Sequence, residues 1–207
     1  KLWQRFTHTR GAFPGQDEIG AVIEGFRPLV DGGMLTAVLV QFPWSFKRTP
    51  GNRQHLARVV EAFEMLPLVV EFRHDSWDVE EVYAGLREHQ SAICNLDQQI
   101  FDHSIEPAAR LTSPLGYVRL HGRNHENWFR EDAHRDERYD YLYSAEELRP
   151  WLERIETMKD LAASTYVITN NHFRGQAVVN ALEMQRAMGK PIMELPETLL
   201  VAYPRLR

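Results

Sequence analysis

Five short apolar runs punctuate the chain, and between them apolar residues recur at helical spacing. The runs are 35–42 (LTAVLVQF), 68–73 (LVVEFR), 91–96, 116–120 and 165–169. Each has strand length and is rich in branched or aromatic residues, which fit a pleated sheet. After the first, Leu56, Val59, Val60, Phe63 and Leu66 share one helical face. After the second come Val79, Val82, Tyr83 and Leu86, with Asp78 and Glu81 placed as a capping box. Leu148, Trp151, Leu152, Ile155 and Met158 make a third stripe behind Ser144 and Glu147, and Val178, Ala181 and Leu182 a fourth. Strand alternating with helix means parallel strands covered by helices, an α/β fold. Open doubly wound sheets and closed barrels both fit that rhythm; no Gly-x-Gly-x-x-Gly follows a strand, which disfavours a dinucleotide fold, and the expected architecture is a parallel (β/α) barrel, here a partial barrel of about five strands in a single domain over 1–207.

Side chains of a strand alternate between two faces. In each run one face is apolar. The other turns polar near the C-terminal end: Gln41; Glu71 and Arg73; Asn95 and Asp97; Arg119 and His121; Thr169 and Asn171. Barrels carry their sites at that end, so these residues are expected to meet inside it. An ion-pair network that merely fills the barrel, Glu71 and Asp97 against Arg73 and Arg119, is the competing expectation.

Composition narrows the classes. At 43% hydrophobic and 26% charged, the chain can fill a core. A net charge of −5 disfavours a broad nucleic-acid sheath, although a local basic groove stays open. No apolar run reaches membrane-spanning length. The single cysteine, Cys94, sits among apolar residues, which suggests a buried thiol and a cytoplasmic protein.

Three chemistries fit the polar ends. Glu71, His121 and Asp97 are candidate catalytic residues: a histidine titrates near neutrality, and paired carboxylates serve acid–base work. Lys1, Gln41, Arg73, His74, Arg119, Arg123, Asn170, Asn171, His172 and Gly175 are candidate binding residues for a small, phosphorylated or otherwise anionic ligand. The run 170–175 (NNHFRG) leads into a helix, where backbone N–H groups attract anions. His74, Asp97, His121 and His172 have metal-ligand chemistry but no recognised metal spacing, so no metal is assigned and the cofactor stays unknown. Trp44, Trp77 and Trp128 follow strands and serve equally as stacking walls or as loop packing. A nucleic-acid-binding module or metal-dependent nuclease therefore remains open beside an anion-acting hydrolase, isomerase or lyase. The long polar and aromatic segment 122–143 is either a lid or a solvated loop. Oligomeric state is unreadable.

The segments Gln41-Phe42-Pro43-Trp44-Ser45-Phe46, Glu71-Phe72-Arg73-His74-Asp75-Ser76-Trp77, Tyr117-Val118-Arg119-Leu120-His121-Gly122-Arg123, Tyr139-Asp140-Tyr141-Leu142-Tyr143-Ser144 and Asn170-Asn171-His172-Phe173-Arg174-Gly175 resemble the YecE-like proteins, domain-of-unknown-function family seventy-two. The resemblance implies a TIM-barrel-like fold and assigns no reaction to any residue. It also implies that residues 1–8 correspond to the end of the family's third barrel strand, so that earlier strand and helix units are expected to be missing here.

Overall fold

The structure, a computed structural model, describes residues 1–9, 11–124 and 139–207. Five parallel strands form one sheet in the order β1 (Val38–Gln41), β2 (Leu68–Glu71), β3 (Ala92–Asp97), β4 (Leu115–Leu120), β5 (Ser164–Thr169). Each strand pairs with the next in sequence, so the order never reverses as it would in a doubly wound sheet. The result is an arc of a TIM-like barrel, as the alternation of runs and stripes implies.

The helices are α1 (Gln16–Asp31), α2 (Pro50–Ala62), α3 (Glu80–Glu88), α4 (Ala145–Lys159), α5 (Gln176–Ala187) and α6 (Glu197–Ala202). Helix α4 starts at the expected capping box: the Ser144 hydroxyl accepts from Glu147 N, and the Glu147 carboxylate accepts from Ser144 N. The box expected at Asp78 does not form. Val79 is the N-cap of α3, and the Asp78 carboxylate instead accepts from the Tyr83 hydroxyl and from Arg110. A side-chain donor and a cation outbid a backbone N–H for it. Helix α1 was not among the stripes read above. Its apolar residues Ile19, Val22, Ile23 and Phe26 do follow helical spacing, and Glu18 accepts from Gly15 N at its start.

Two cores cover the outer face. Val38, Val40, Phe42, Val70 and Phe72 pack beneath α2 and α3, where Phe42, Phe46, Trp77 and Phe72 stack in near-parallel planes. Val118 and Leu120 pack beneath Leu148, Trp151, Ile155 and Met158 of α4. A third, smaller cluster fills the bottom of the inner face with Leu39, Val69, Ala92 and Cys94, against Leu115 and Tyr117. Cys94 is buried and free, as expected. The Leu2 N–H bonds to Leu39 O, so the start of the chain runs against β1. Among the described residues, no helix is long and apolar enough to cross a membrane.

Candidate functional site

Above the inner apolar layer, register decides what meets. Gln41 pairs with Glu71, and the β2–β3 and β3–β4 registers bring Glu71 level with Cys94 and Tyr117. Arg119 stands one inward position further along β4. The small Cys94 side chain leaves room for it to reach back across β3, and its Nη1 pairs with Glu71 Oε2. Arg73 Nε donates to the other oxygen at 3.1 Å, and His121 Nε2 lies 3.4 Å from that same oxygen. Arg119 is held further by Gln41 Oε1 at 3.3 Å and Asn170 Oδ1 at 3.2 Å. Lys1 Nζ donates to Gln41 Oε1 at 2.9 Å. Strands β1, β2 and β4 therefore deliver Gln41, Glu71, Arg73, Arg119 and His121 to one place, as their polar alternation predicts.

Charge sets the protonation states. Burial alone would raise the pKa of Glu71, but His121, Arg73 and Arg119 overcome it and hold the carboxylate ionised well below its usual range. His121 moves the other way. Burial, reinforced by the Arg73 guanidinium, pushes it down to about 4, so the imidazole is neutral at pH 7. Its Nε2 lies 3.3 Å from Arg73 Nη2, and its Nδ1 is buried without a hydrogen-bond partner among the described residues. Burial and the neighbouring Glu71 push the Cys94 thiol up, which keeps it protonated.

Asp97 does not join this group. Its carboxylate points to the helix side, where it accepts from Trp151 Nε1 at 2.6 Å, the Tyr143 hydroxyl at 2.8 Å and Arg123 Nε at 2.9 Å. Arg123, expected at the binding site, is likewise bound to Asp97. Asn95 also turns outward and grips the main chain at Arg110 in both directions. Strand β5 is reversed too. Val167 packs under the helices, Thr169 Oγ1 donates to Ala177 O, and Asn171 Nδ2 donates to Asn180 Oδ1 and Tyr141 O. The half-exposed Tyr166 and Ile168 take the inner side, together with Asn170. The assumption that polar residues face inward fails here for a physical reason. The small residues Ala92 and Cys94 are needed inside, and the helix side offers enough N–H and O–H donors to satisfy a buried amide or carboxylate.

The remaining candidates are scattered. His74 lies beside Trp44 and His103, apart from the Glu71 group, and accepts from Ser76 N. His172 is exposed against Tyr139, and its Nδ1 lies 3.0 Å from Asn170 O. Gly175 has a left-handed φ of +85° and caps α5, a conformation that favours glycine. Gly122 has φ +88°, and a Cβ there would meet Tyr141 Cβ at 2.8 Å. Its N–H donates to the Tyr143 hydroxyl, which links the strand end after His121 to Asp97. His74, Asp97, His121 and His172 do not converge on a common metal position; the described cluster of metal-ligand type is His74, Asp75 and His103. Trp77 is buried in the Phe46–Phe72 stack and packs rather than forming a wall, while Trp44 is exposed. Trp128 and residues 125–138 of the expected lid lie outside the described residues. Cys94, Tyr143 and Trp151 were missed as partners of the two carboxylates. Tyr143 and Trp151 were visible only as a motif and a helical stripe.

The strand-end motifs and the arc of parallel strands coincide with a known family. Residues 1–200 match the family described as "Protein of unknown function DUF72". The chain belongs to the DUF72 family. It is 28% identical over 198 residues to the UPF0759 protein YunF of Bacillus subtilis (strain 168), covering 89% of this chain and 70% of YunF. The crystal structure of a DUF72 family protein (TM1631) from Thermotoga maritima MSB8 superposes with a TM-score of 0.79 at 36% identity, covering 84% of this chain and 66% of that one. A DUF72 family protein (EF0366) from Enterococcus faecalis V583 gives 0.82 at 28% identity, with 93% and 74% covered. The chain thus spans about two thirds to three quarters of the length of these relatives. The YecE-like resemblance names the same family.

Proposed function

We propose that the strand ends bind a small anionic ligand, phosphorylated or carboxylated, between Arg73, Arg119 and Lys1. The observation that supports this is convergence: Arg73 and Arg119 both meet the buried Glu71 on the inner face, Lys1 stands beside them on Gln41, and Asp97 is turned away. Two guanidiniums pinned by Glu71, Gln41 and Asn170 are oriented in advance, which favours an incoming anion. Glu71 serves to hold them. A carboxylate so strongly ionised is a poor proton donor, so His121 is the better group for moving a proton. An anion beside Arg73 would relieve its repulsion of the His121 proton and raise the basicity of that ring. Asn171 and Arg123 would act on the site only by bracing it, and His172 and Gly175 would stand at its rim. A nucleic-acid ligand has less support, since Trp77 is not available for stacking on bases.

Isothermal titration with ribose 5-phosphate, and with ribose as the uncharged control, tests the reading. Saturable binding of the phosphate ester alone is expected. It should be weakened about tenfold by Arg73→Lys, which loses the planar fork. It should also come with proton uptake near pH 5, read from buffers of different ionisation enthalpy. The absence of binding by ribose 5-phosphate, inorganic phosphate and citrate would leave the group as a structural ion network.

A further inference from the structure

We propose that His74, Asp75 and His103 form a binding site for a first-row divalent transition-metal ion, with zinc as the reference ion. The three residues come from two loops, the turn after β2 and the segment before β4, and their ligand atoms all lie within 4.8 Å of one another. The loops are braced: Asp75 N donates to His103 O at 2.9 Å, Ile105 N to Arg73 O at 3.1 Å, and His74 bridges Ser104.

The Asp75 carboxylate spans the two rings. Oδ1 lies 3.1 Å from His74 Nδ1 and Oδ2 lies 3.0 Å from His103 Nδ1. Metal bonds of about 2.1 Å place neighbouring donors about 3.0–3.4 Å apart, so each ring already lies at a ligand-like spacing from one oxygen of the carboxylate. Two imidazoles and one carboxylate prefer zinc-like ions over calcium or magnesium, which seek oxygen alone.

His74 also shows why a cation is called for. Ser76 N–H donates to its Nδ1 at 3.1 Å, which makes that atom an acceptor, yet an Asp75 oxygen faces it at the same distance. Two acceptors so close repel unless a positive charge lies between them. A metal ion between Nδ1 and the carboxylate supplies that charge. The His103 side chain is 66% exposed, which leaves the cluster open to solvent.

This site is independent of the anion reading, since none of its three residues belongs to the Glu71 group. The test is calorimetric titration of chelator-treated protein with zinc chloride, with cobalt absorption to report nitrogen ligation. One equivalent should bind. Asp75→Asn and His103→Ala should each weaken binding at least about tenfold, while His89→Ala, on the far end of α3, should not. Both altered side chains are solvent-exposed, and circular dichroism checks the fold. No binding by the unaltered chain, affinity unchanged in both variants, or calcium binding as tightly as zinc would overturn the proposal.

Discussion

Glu71 and Asp97 are both carboxylates at the end of a strand, both fully buried and both paired with arginine, yet they stand in different surroundings. Glu71 faces the barrel interior, and its principal partners, Arg73, Arg119 and His121, themselves carry charge or titrate. Asp97 faces the helices. Two of its partners, the Trp151 indole and the Tyr143 hydroxyl, are neutral donors belonging to α4 and the segment before it. Donors fixed in a packed core stabilise an ion without leaving capacity for a ligand. Burial and charge alone therefore do not distinguish the two carboxylates; the face on which their partners stand does.

Removing Asp97 should show the largest effect on that contrast. Asp97→Ala strands the Trp151 N–H, the Tyr143 hydroxyl and Arg123, and should cost about 3–5 kcal/mol in chemical denaturation. The surviving folded fraction should keep its affinity for ribose 5-phosphate. Loss of that affinity at full stability would reverse the roles of the two carboxylates.

The pH dependence of stability comes next. His121 has a folded pKa of about 4 against 6.5 for the free side chain, so between those values the unfolded chain takes up a proton that the folded chain refuses. Its contribution is complete above pH 6.5 and falls as pH drops towards 4, by about 3 kcal/mol in all. The lowered pKa of Glu71 acts in the same direction at still lower pH. Urea denaturation from pH 7 to pH 4 measures the slope, and His121→Asn should flatten the upper part of it. An unchanged slope in that variant would show that residue 121 is not buried neutral.

A smaller loss, about 1–3 kcal/mol, is expected for Tyr143→Phe, which removes one donor from Asp97 and the acceptor of Gly122 N–H. The smallest change in stability, below about 1 kcal/mol, belongs to Asn170→Ala, because Asn170 is only partly buried and meets Arg119 through one hydrogen bond. The same substitution should weaken ribose 5-phosphate several-fold in titration. Asn170→Ala that destabilises as much as Tyr143→Phe would make the inner group structural and erase the distinction from Asp97.

Periodicity along the chain determines the five strands, their parallel order and most of the helices, because apolar spacing of two or 3.6 residues is a local consequence of backbone geometry. The Ser144–Glu147 cap and the meeting of Gln41, Glu71, Arg73, Arg119 and His121 were legible for the same reason. The facing of β3 and β5 was not. Strand alternation separates Asn95 and Asp97 from Cys94, and Asn171 from Ile168, but parity says only that two sets lie on opposite faces, not which face is inside. Tertiary structure decided that through volume and donor supply. Small residues were needed where Arg119 crosses β3, and Trp151 and Tyr143 waited on the other side for Asp97. His103 joins Asp75 across 28 positions of sequence, and no local pattern encodes such a pairing. Contacts between loops depend on how the strands that carry them are registered, which is a property of the assembled sheet.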